Sequence, residues 1–264
     1  MDSAKNNPKE IVVVVLVVAI LLVATMSFLF VYSGKSRPLT VVESKSMQHS
    51  DDTSYIGIID TGDMVVMRDI GKVTIETYVD GYQNGHGSFG SYGDVIIYYR
   101  EGKNPVIHRA ILWLDYDVST DRWSSPALEN YPADLWENAG TWDDLTGELV
   151  LKGLPGKNGS QIDATLNIDT LAHHSGYITK GDNNDYFDQN AIHVGLVERS
   201  ELKAVAGLEI PWLGCIKLLV NHKNTGMIPS NSIPCLAVLL LDIIMFIFMI
   251  STVTECIRRM REEE

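Results

Sequence analysis

Three segments carry side chains whose types could do chemistry together. Ser44 and Ser46 flank Lys45 in the run Ser44-Lys45-Ser46-Met47-Gln48-His49-Ser50, just behind a short apolar stretch. His108 lies inside the apolar run PVIHRAILWL (105–114), where an imidazole must be hydrogen-bonded or in use. The third segment is the acidic turn Gly181-Asp182-Asn183-Asn184-Asp185-Tyr186-Phe187-Asp188. A serine hydroxyl attacks a carbonyl only when a base takes its proton. Imidazole suits that task near neutral pH, and a carboxylate fixes its tautomer and steadies its charge. Serine, histidine and aspartate on three separate segments are thus the parts of an acyl-transfer triad. Each also has a plainer reading, as a serine-rich loop, a satisfied strand histidine and a turn that caps a hairpin. The turn lacks the ligand order of an EF-hand, and no carboxylate–histidine spacing accompanies His173-His174.

The elements that must hold these residues read as strands. Segments 39–44, 63–70, 94–100, 105–114 and 176–182 alternate or run apolar with β-branched and aromatic content. Gly-Asp pairs at Gly62-Asp63, Gly93-Asp94 and Gly181-Asp182 punctuate them. Residues 81–93 (GYQNGHGSFGSYG) are glycine-rich and read as a flexible loop. Their GxGxxG-like spacing has no helix behind it and does not point to phosphate binding.

Between 115 and 170 the chain becomes acidic: eleven Asp and Glu residues face only Arg122, Lys152 and Lys157. Trp123, Trp136 and Trp142 argue against simple disorder, so 115–172 reads as an inserted, partly ordered lobe. Asn158-Gly159-Ser160 fits an N-glycosylation acceptor, meaningful only on an extracytoplasmic face.

Two apolar runs bracket this region. Residues 11–32 hold 22 positions without a charge, about 33 Å as a helix and enough to cross a hydrocarbon core. The run exceeds a cleavable leader's apolar region and lacks a small-residue cut site, so it reads as a retained anchor. The second run, 235–253 behind Pro234, contains one acid, Asp242, at a depth similar to Thr25 of the first, and a hydrogen bond between them is one reading. Two spans put both termini on one side and 33–232 on the other. Five Lys/Arg near the membrane on each side leave the positive-inside rule nearly silent, although the Arg258-Arg259-Met260-Arg261 cluster favours cytoplasmic tails. The formal net charge of −13 argues against a nucleic-acid binder, and three scattered cysteines make neither a disulfide framework nor a zinc site. The expected layout is a tail (1–10), a span (11–32), a mainly β extracytoplasmic domain (33–232), a second span (233–254) and a tail (255–264).

Ser44-x-Ser46-Met47, Ile107-His108-Arg109, and Thr179-Lys180-Gly181-Asp182-Asn183-Asn184 with Asp188 closely resemble the boxes of type I signal peptidases, in the family's order. Ile210-Pro211-Trp212-Leu213-Gly214 is similar to the family's Pro-aromatic-x-Gly segment before its last strand. The histidine resembles the archaeal and endoplasmic-reticulum branch, since the bacterial branch uses a lysine base. The resemblance covers roughly 40–70, 93–114 and 176–218 and says nothing of the acidic lobe.

The resemblance implies a signal-peptidase-like β domain between two membrane helices. Ser46 is the implied nucleophile, His108 the general base, and Asp182 and Asp188 the matching acids. Asp188 is favoured as the histidine's partner, with Asp182 holding the site together and Asp185 the nearest decoy. Ser44 is the implied side-chain donor to an oxyanion hole shared with the Ser46 N–H, and Met47 the implied substrate contact. The substrate would be a secretory preprotein, cleaved after its signal peptide at a small-x-small site, without metal or organic cofactor. Membrane lipid and the protein-secretion channel are the other expected neighbours, at the plasma membrane with the domain outside. Ser46 follows Tyr32 by fourteen residues, at most about 50 Å of chain, which keeps the nucleophile near the membrane. The competing reading is a non-catalytic two-span surface ectodomain that binds cations or a partner through its acidic lobe.

Overall fold

The computed structural model describes residues 8–100, 105–191 and 194–262. The first seven residues of the expected N-terminal tail lie outside these. The first apolar run forms helix α1 (Pro8–Ser33), and its apolar window Val12–Ser33 is long enough to cross a membrane. The last helix contains a second such window, Ser232–Ile257. Only 6% of either window is buried within the protein, so neither behaves as the core helix of a soluble domain. Asp242 and Thr25 are both exposed, and no hydrogen bond joins them.

The end of α1 is fastened to the first two strands. Strand β1 (Leu39–Val41) pairs antiparallel with β2 (Met64–Arg68). Ser33 Oγ donates to the Met67 carbonyl, and the Asp69 N–H donates to Ser33 O at 2.8 Å. The Arg68 guanidinium lies 5.2 Å from the centre of the Tyr32 ring, a cation–π contact at the helix end.

The Gly-rich 81–93 segment is not a free loop. It closes helix α2 (Tyr78–Asn84), whose N-terminus carries a Thr77–Asp80 capping box, and then forms the hairpin β3 (Gly87–Ser88) and β4 (Ser91–Tyr92). Strand β5 (Val95–Tyr98) is buried throughout and pairs with the long β6 (Val106–Asp117), which carries His108. β7 (Arg122–Ser124) returns along the far end of β6.

The acidic segment is ordered rather than partly so. β8 (Trp136–Glu137), β9 (Glu148–Pro155) and β10 (Gln161–Asn167) form a second antiparallel sheet. Leu149 stands opposite Leu166 and Leu151 opposite Ala164, so the two strands present one apolar face and leave Glu148 and Asp163 outside. That face packs with Ile111, Leu112, Leu114 and Phe187 into the largest core cluster. Asn158, the glycosylation-pattern residue, is exposed at the β9–β10 tip.

β11 (Gly176–Lys180) and β12 (Leu202–Ile210) complete the main sheet, in the order β1-β2-β12-β5-β6-β11. The Pro211-Trp212-Leu213-Gly214 segment follows the last strand rather than preceding it, because β12 runs from 202 up to Ile210. It leads into the short helix α3 (Cys215–Val220) and then α4 (Ser232–Glu262), which extends past the expected end of the span at 254. α1 and α4 pack against each other.

A cluster of buried acids lies where β12 ends. Among the described residues no Lys or Arg pairs with Asp60, Asp63 or Glu209, although His49 lies close enough to Asp60 to act on its charge, and Asp60 Oδ2 and Glu209 Oε2 are buried without any hydrogen-bond partner. Burial pushes the Asp63 and Glu209 carboxyls up to about 7. Such groups hold protons more tightly folded than unfolded, so stability falls as pH rises from their ordinary range toward about 7 and the loss is complete above it. The melting temperature is expected to be lower at pH 8 than at pH 5. Glu209→Gln is expected to narrow that difference; an unchanged difference in thermal scans counts against this cluster as its source.

Candidate active site

Ser46 sits in a 3-10 turn, Lys45–Met47, which begins four residues after the end of β1. The turn is pinned by the third segment. The Asn183 N–H donates to Ser46 O at 2.9 Å, and Asn183 Nδ2 donates to Lys45 O at 2.9 Å. Gly181 allows this approach, since a Cβ there would stand 2.3 Å from Ser46 O and 3.0 Å from His108 Nε2. The same glycine therefore contacts both the Ser46 turn and the far nitrogen of His108.

His108 is placed by the register of β6, paired with Ile96 on one side and lying just beyond Lys180, the last residue of β11, on the other. Its Nδ1 is 2.5 Å from Asp188 Oδ2. Asp188 opens a 3-10 turn after Phe187, whose side chain is fully buried and anchors the turn in the core. The same carboxylate oxygen accepts the Tyr98 hydroxyl at 2.8 Å and the Thr179 hydroxyl at 2.7 Å, and Arg100 Nη2 lies 3.5 Å away. Burial alone would raise this carboxyl. The charge and hydrogen bond of His108, with the two hydroxyls, outweigh burial and hold it below the usual carboxylate range. An ionised Asp188 fixed on Nδ1 leaves Nε2 as the imidazole's reactive edge.

Ser46 and His108 line one cleft of about 550 Å³, with Ser44 and Arg100. Ser46 is half-buried and its Oγ lies 3.2 Å from Ser44 Oγ. No hydrogen bond joins Ser46 Oγ to His108. Met47 forms part of the cleft wall but is 1% exposed, packed with Val42, Ile59 and Val65, and its sulfur accepts the Asp182 N–H at 3.4 Å. It is first a core residue. Asp185 is exposed and paired with Lys157 at 2.5 Å, outside the cleft.

Asp182 holds Arg109, the neighbour of His108. Arg109 is wholly buried and donates through Nε and Nη2 to the two oxygens of Asp182, at 2.9 and 2.6 Å. Its Nη1 lies 3.0 Å from each of the carbonyls of Ser88, Tyr92 and Gly93. This fork joins β6, the 181–188 turn and the β3–β4 hairpin.

Several contributors had no assigned role in the sequence. Tyr98 and Thr179 help hold Asp188, and Asn183 seats the Ser46 turn. Arg109 and Lys180 stood inside quoted boxes without a function. Tyr98 offered no signal beyond its place in an apolar strand. Lys180 is 1% exposed, and burial lowers its amine to about 8. Its Nζ donates to Pro155 O and, at 2.9 Å, to Gly181 O. Among the described residues no group of three His, Cys, Asp or Glu side chains converges as a metal site requires.

No protein-family model matches this chain, and no curated protein matches it significantly.

Removing one partner of a buried pair leaves an uncompensated charge, typically at about 3–5 kcal/mol. Asp182→Asn is expected to lose stability on that scale in urea unfolding and to expose the 85–93 hairpin to proteolysis. Native stability with a protected hairpin would show that the Arg109 fork is dispensable.

Proposed function

We propose that this chain is a membrane-anchored serine endopeptidase of the signal-peptidase type, with Ser46 as nucleophile, His108 as general base and Asp188 as the acid that orients it. The observation that carries this reading is the His108–Asp188 pair, buried and fixed at 2.5 Å, beside a serine on the wall of the same cleft. A strand histidine serving only to fill space needs no ionised carboxylate backed by two hydroxyl donors. The order of the motif residues along the chain, which resembles that of the peptidases, adds to it.

In this mechanism Ser46 Oγ leaves Ser44 and hands its proton to His108 Nε2 as it attacks the scissile carbonyl. The carbonyl becomes a tetrahedral oxyanion, stabilised by the Ser44 hydroxyl and the Ser46 N–H. Collapse breaks the C–N bond, and His108 returns the proton to the leaving amine. A water, deprotonated by His108, then hydrolyses the acyl-serine ester and restores the hydroxyl. Asp188 stays ionised throughout and steadies the imidazolium.

The substrate class follows from the spans. A nucleophile about fourteen residues past the end of an apolar run works near the membrane surface. Signal peptides end there, in small side chains. An extended preprotein segment would lie along the cleft wall as an added strand. The domain then faces outward, with both tails in the cytoplasm and the chain in the plasma membrane.

The decisive assay is cleavage of a tagged preprotein by the detergent-solubilised full chain. Wild type is expected to cut after the signal peptide and Ser46→Ala to give no product. Asp188→Asn keeps the shape but not the charge and is expected to lower kcat by roughly 10³- to 10⁴-fold, by analogy with other triads. Equal cutting by Ser46→Ala rejects Ser46 as nucleophile. Inactivity of a folded wild type returns the ectodomain reading.

A further inference from the structure

The structure has a second cavity, of about 580 Å³. Its lining includes His49, three residues after Ser46, the β3–β4 hairpin and the tip of the β9–β10 hairpin at Pro155 and Gln161. It shares no lining residue with the Ser46 cleft. The chemistry of the two differs. The Ser46 cleft has Glu43, Arg100, Lys217 and Lys223 in its walls, whereas the second cavity has no Asp, Glu, Lys or Arg. Five of its lining residues are glycines. A glycine wall leaves main-chain N–H and C=O groups accessible, the groups through which an extended peptide pairs. His49 Nδ1 is buried and has no partner within the protein.

Both walls of this cavity are tied to residues beside the triad. Arg109, next to His108, holds the hairpin by the carbonyls of Ser88 and Tyr92. Lys180 holds the lobe tip by Pro155 O, and the Lys157–Asp185 ion pair ties that tip to the 181–188 turn. These ties fix the position of both cavity walls relative to His108 and Asp188.

The connections to the two spans assign the ends of a substrate. Walls of the Ser46 cleft run directly into both apolar helices: β1 starts six residues after α1 ends, and Lys217, Lys223 and Asn224 lie on the segment leading to α4. A signal peptide's apolar part lies in the membrane, so residues before the scissile bond approach through that cleft. The second cavity, built from α2, the hairpin and the acidic lobe, is left for the residues beyond the bond.

We propose that this second cavity binds the substrate segment on the C-terminal side of the scissile bond, as an extended, uncharged or basic stretch read mainly through its main chain. The acidic lobe is then a reader of the mature N-terminus, its surplus of eight negative charges across 115–170 disfavouring acidic segments. This inference rests on the peptidase reading.

Two peptide substrates with one signal-side sequence separate the two ideas. One ends two residues past the cleavage point and the other runs eight residues past it. Wild-type full chain in detergent is expected to cut the long substrate with at least tenfold higher kcat/KM. Gln161→Trp, which places a bulky ring in the cavity, is expected to bring the long-to-short ratio close to one, chiefly through KM. Ser160→Trp is the second filling variant should the first not fold. Aspartates in the extension are expected to reduce the ratio likewise. A wild-type ratio near one, or a ratio that both filling variants leave intact, overturns the subsite while the peptidase reading stands. Cleavage of neither substrate by folded wild type overturns the peptidase reading and the subsite with it.

Discussion

The buried fork of Arg109 on Asp182 is the constraint on which the rest of the site depends. A guanidinium with no solvent access is unfavourable unless every donor finds an acceptor, and here two carboxylate oxygens and a ring of hairpin carbonyls supply them. Such a group is satisfied only when three segments far apart in sequence arrive together. Once they do, His108 and Gly181, the chain neighbours of the pair, have little freedom left. Asp182 therefore contributes by placing its neighbours rather than by meeting the imidazole. Two acids six residues apart divide the work: one fixes the frame and the other fixes the tautomer.

That division was partly legible in the sequence. Motif order singled out both acids, but residue types alone could not say which one meets His108. The answer depends on a register shift in the β6–β11 pairing between Ile178 and Thr179, and on Phe187 being driven into the core, which turns Asp188 back toward β6. Neither is visible in composition. Tyr98 is a plainer omission. Its ring is part of the buried β5 strand and its hydroxyl reaches Asp188 across β6, so a residue that looks like core has a polar end in the site.

The fold was legible where apolar patterning was undiluted. Strands β1, β2, β5 and β11 lie within the segments that the pattern marked, β6 runs three residues past its segment, and both apolar helices overlap their expected spans and extend beyond them. The lobe was misjudged because its charge was more conspicuous than its period. Ile162, Ala164 and Leu166 alternate with polar residues along β10, and Leu149, Leu151 and Leu154 are the buried positions of β9, but the surrounding acids dominate any reading by composition. The 81–93 segment failed in the opposite sense. Its glycines signal flexibility, while the order comes from Arg109, a residue sixteen or more positions away that binds the hairpin through its carbonyls. Local sequence carries no trace of such a tie.

His108 and Lys180 are the two side chains beside the 181–188 turn that could lose a proton near neutral pH, and their hydrogen bonds separate their roles. A general base must offer a lone pair. Lys180 is desolvated enough for its amine to fall to about 8, the kind of shift that lysine-based peptidases need. Yet its Nζ donates to the carbonyls of Pro155 and Gly181, two acceptors that favour the protonated form, and Lys180 does not line the cleft that holds Ser46. His108 is arranged the other way. Asp188 occupies Nδ1 as acceptor, so the lone pair of the neutral ring falls on Nε2, the nitrogen that Gly181 keeps open by lacking a side chain. The lysine is spent on holding the lobe tip against the 181–188 turn, whereas the histidine keeps at the cleft the free lone pair that the proposed mechanism requires of its base.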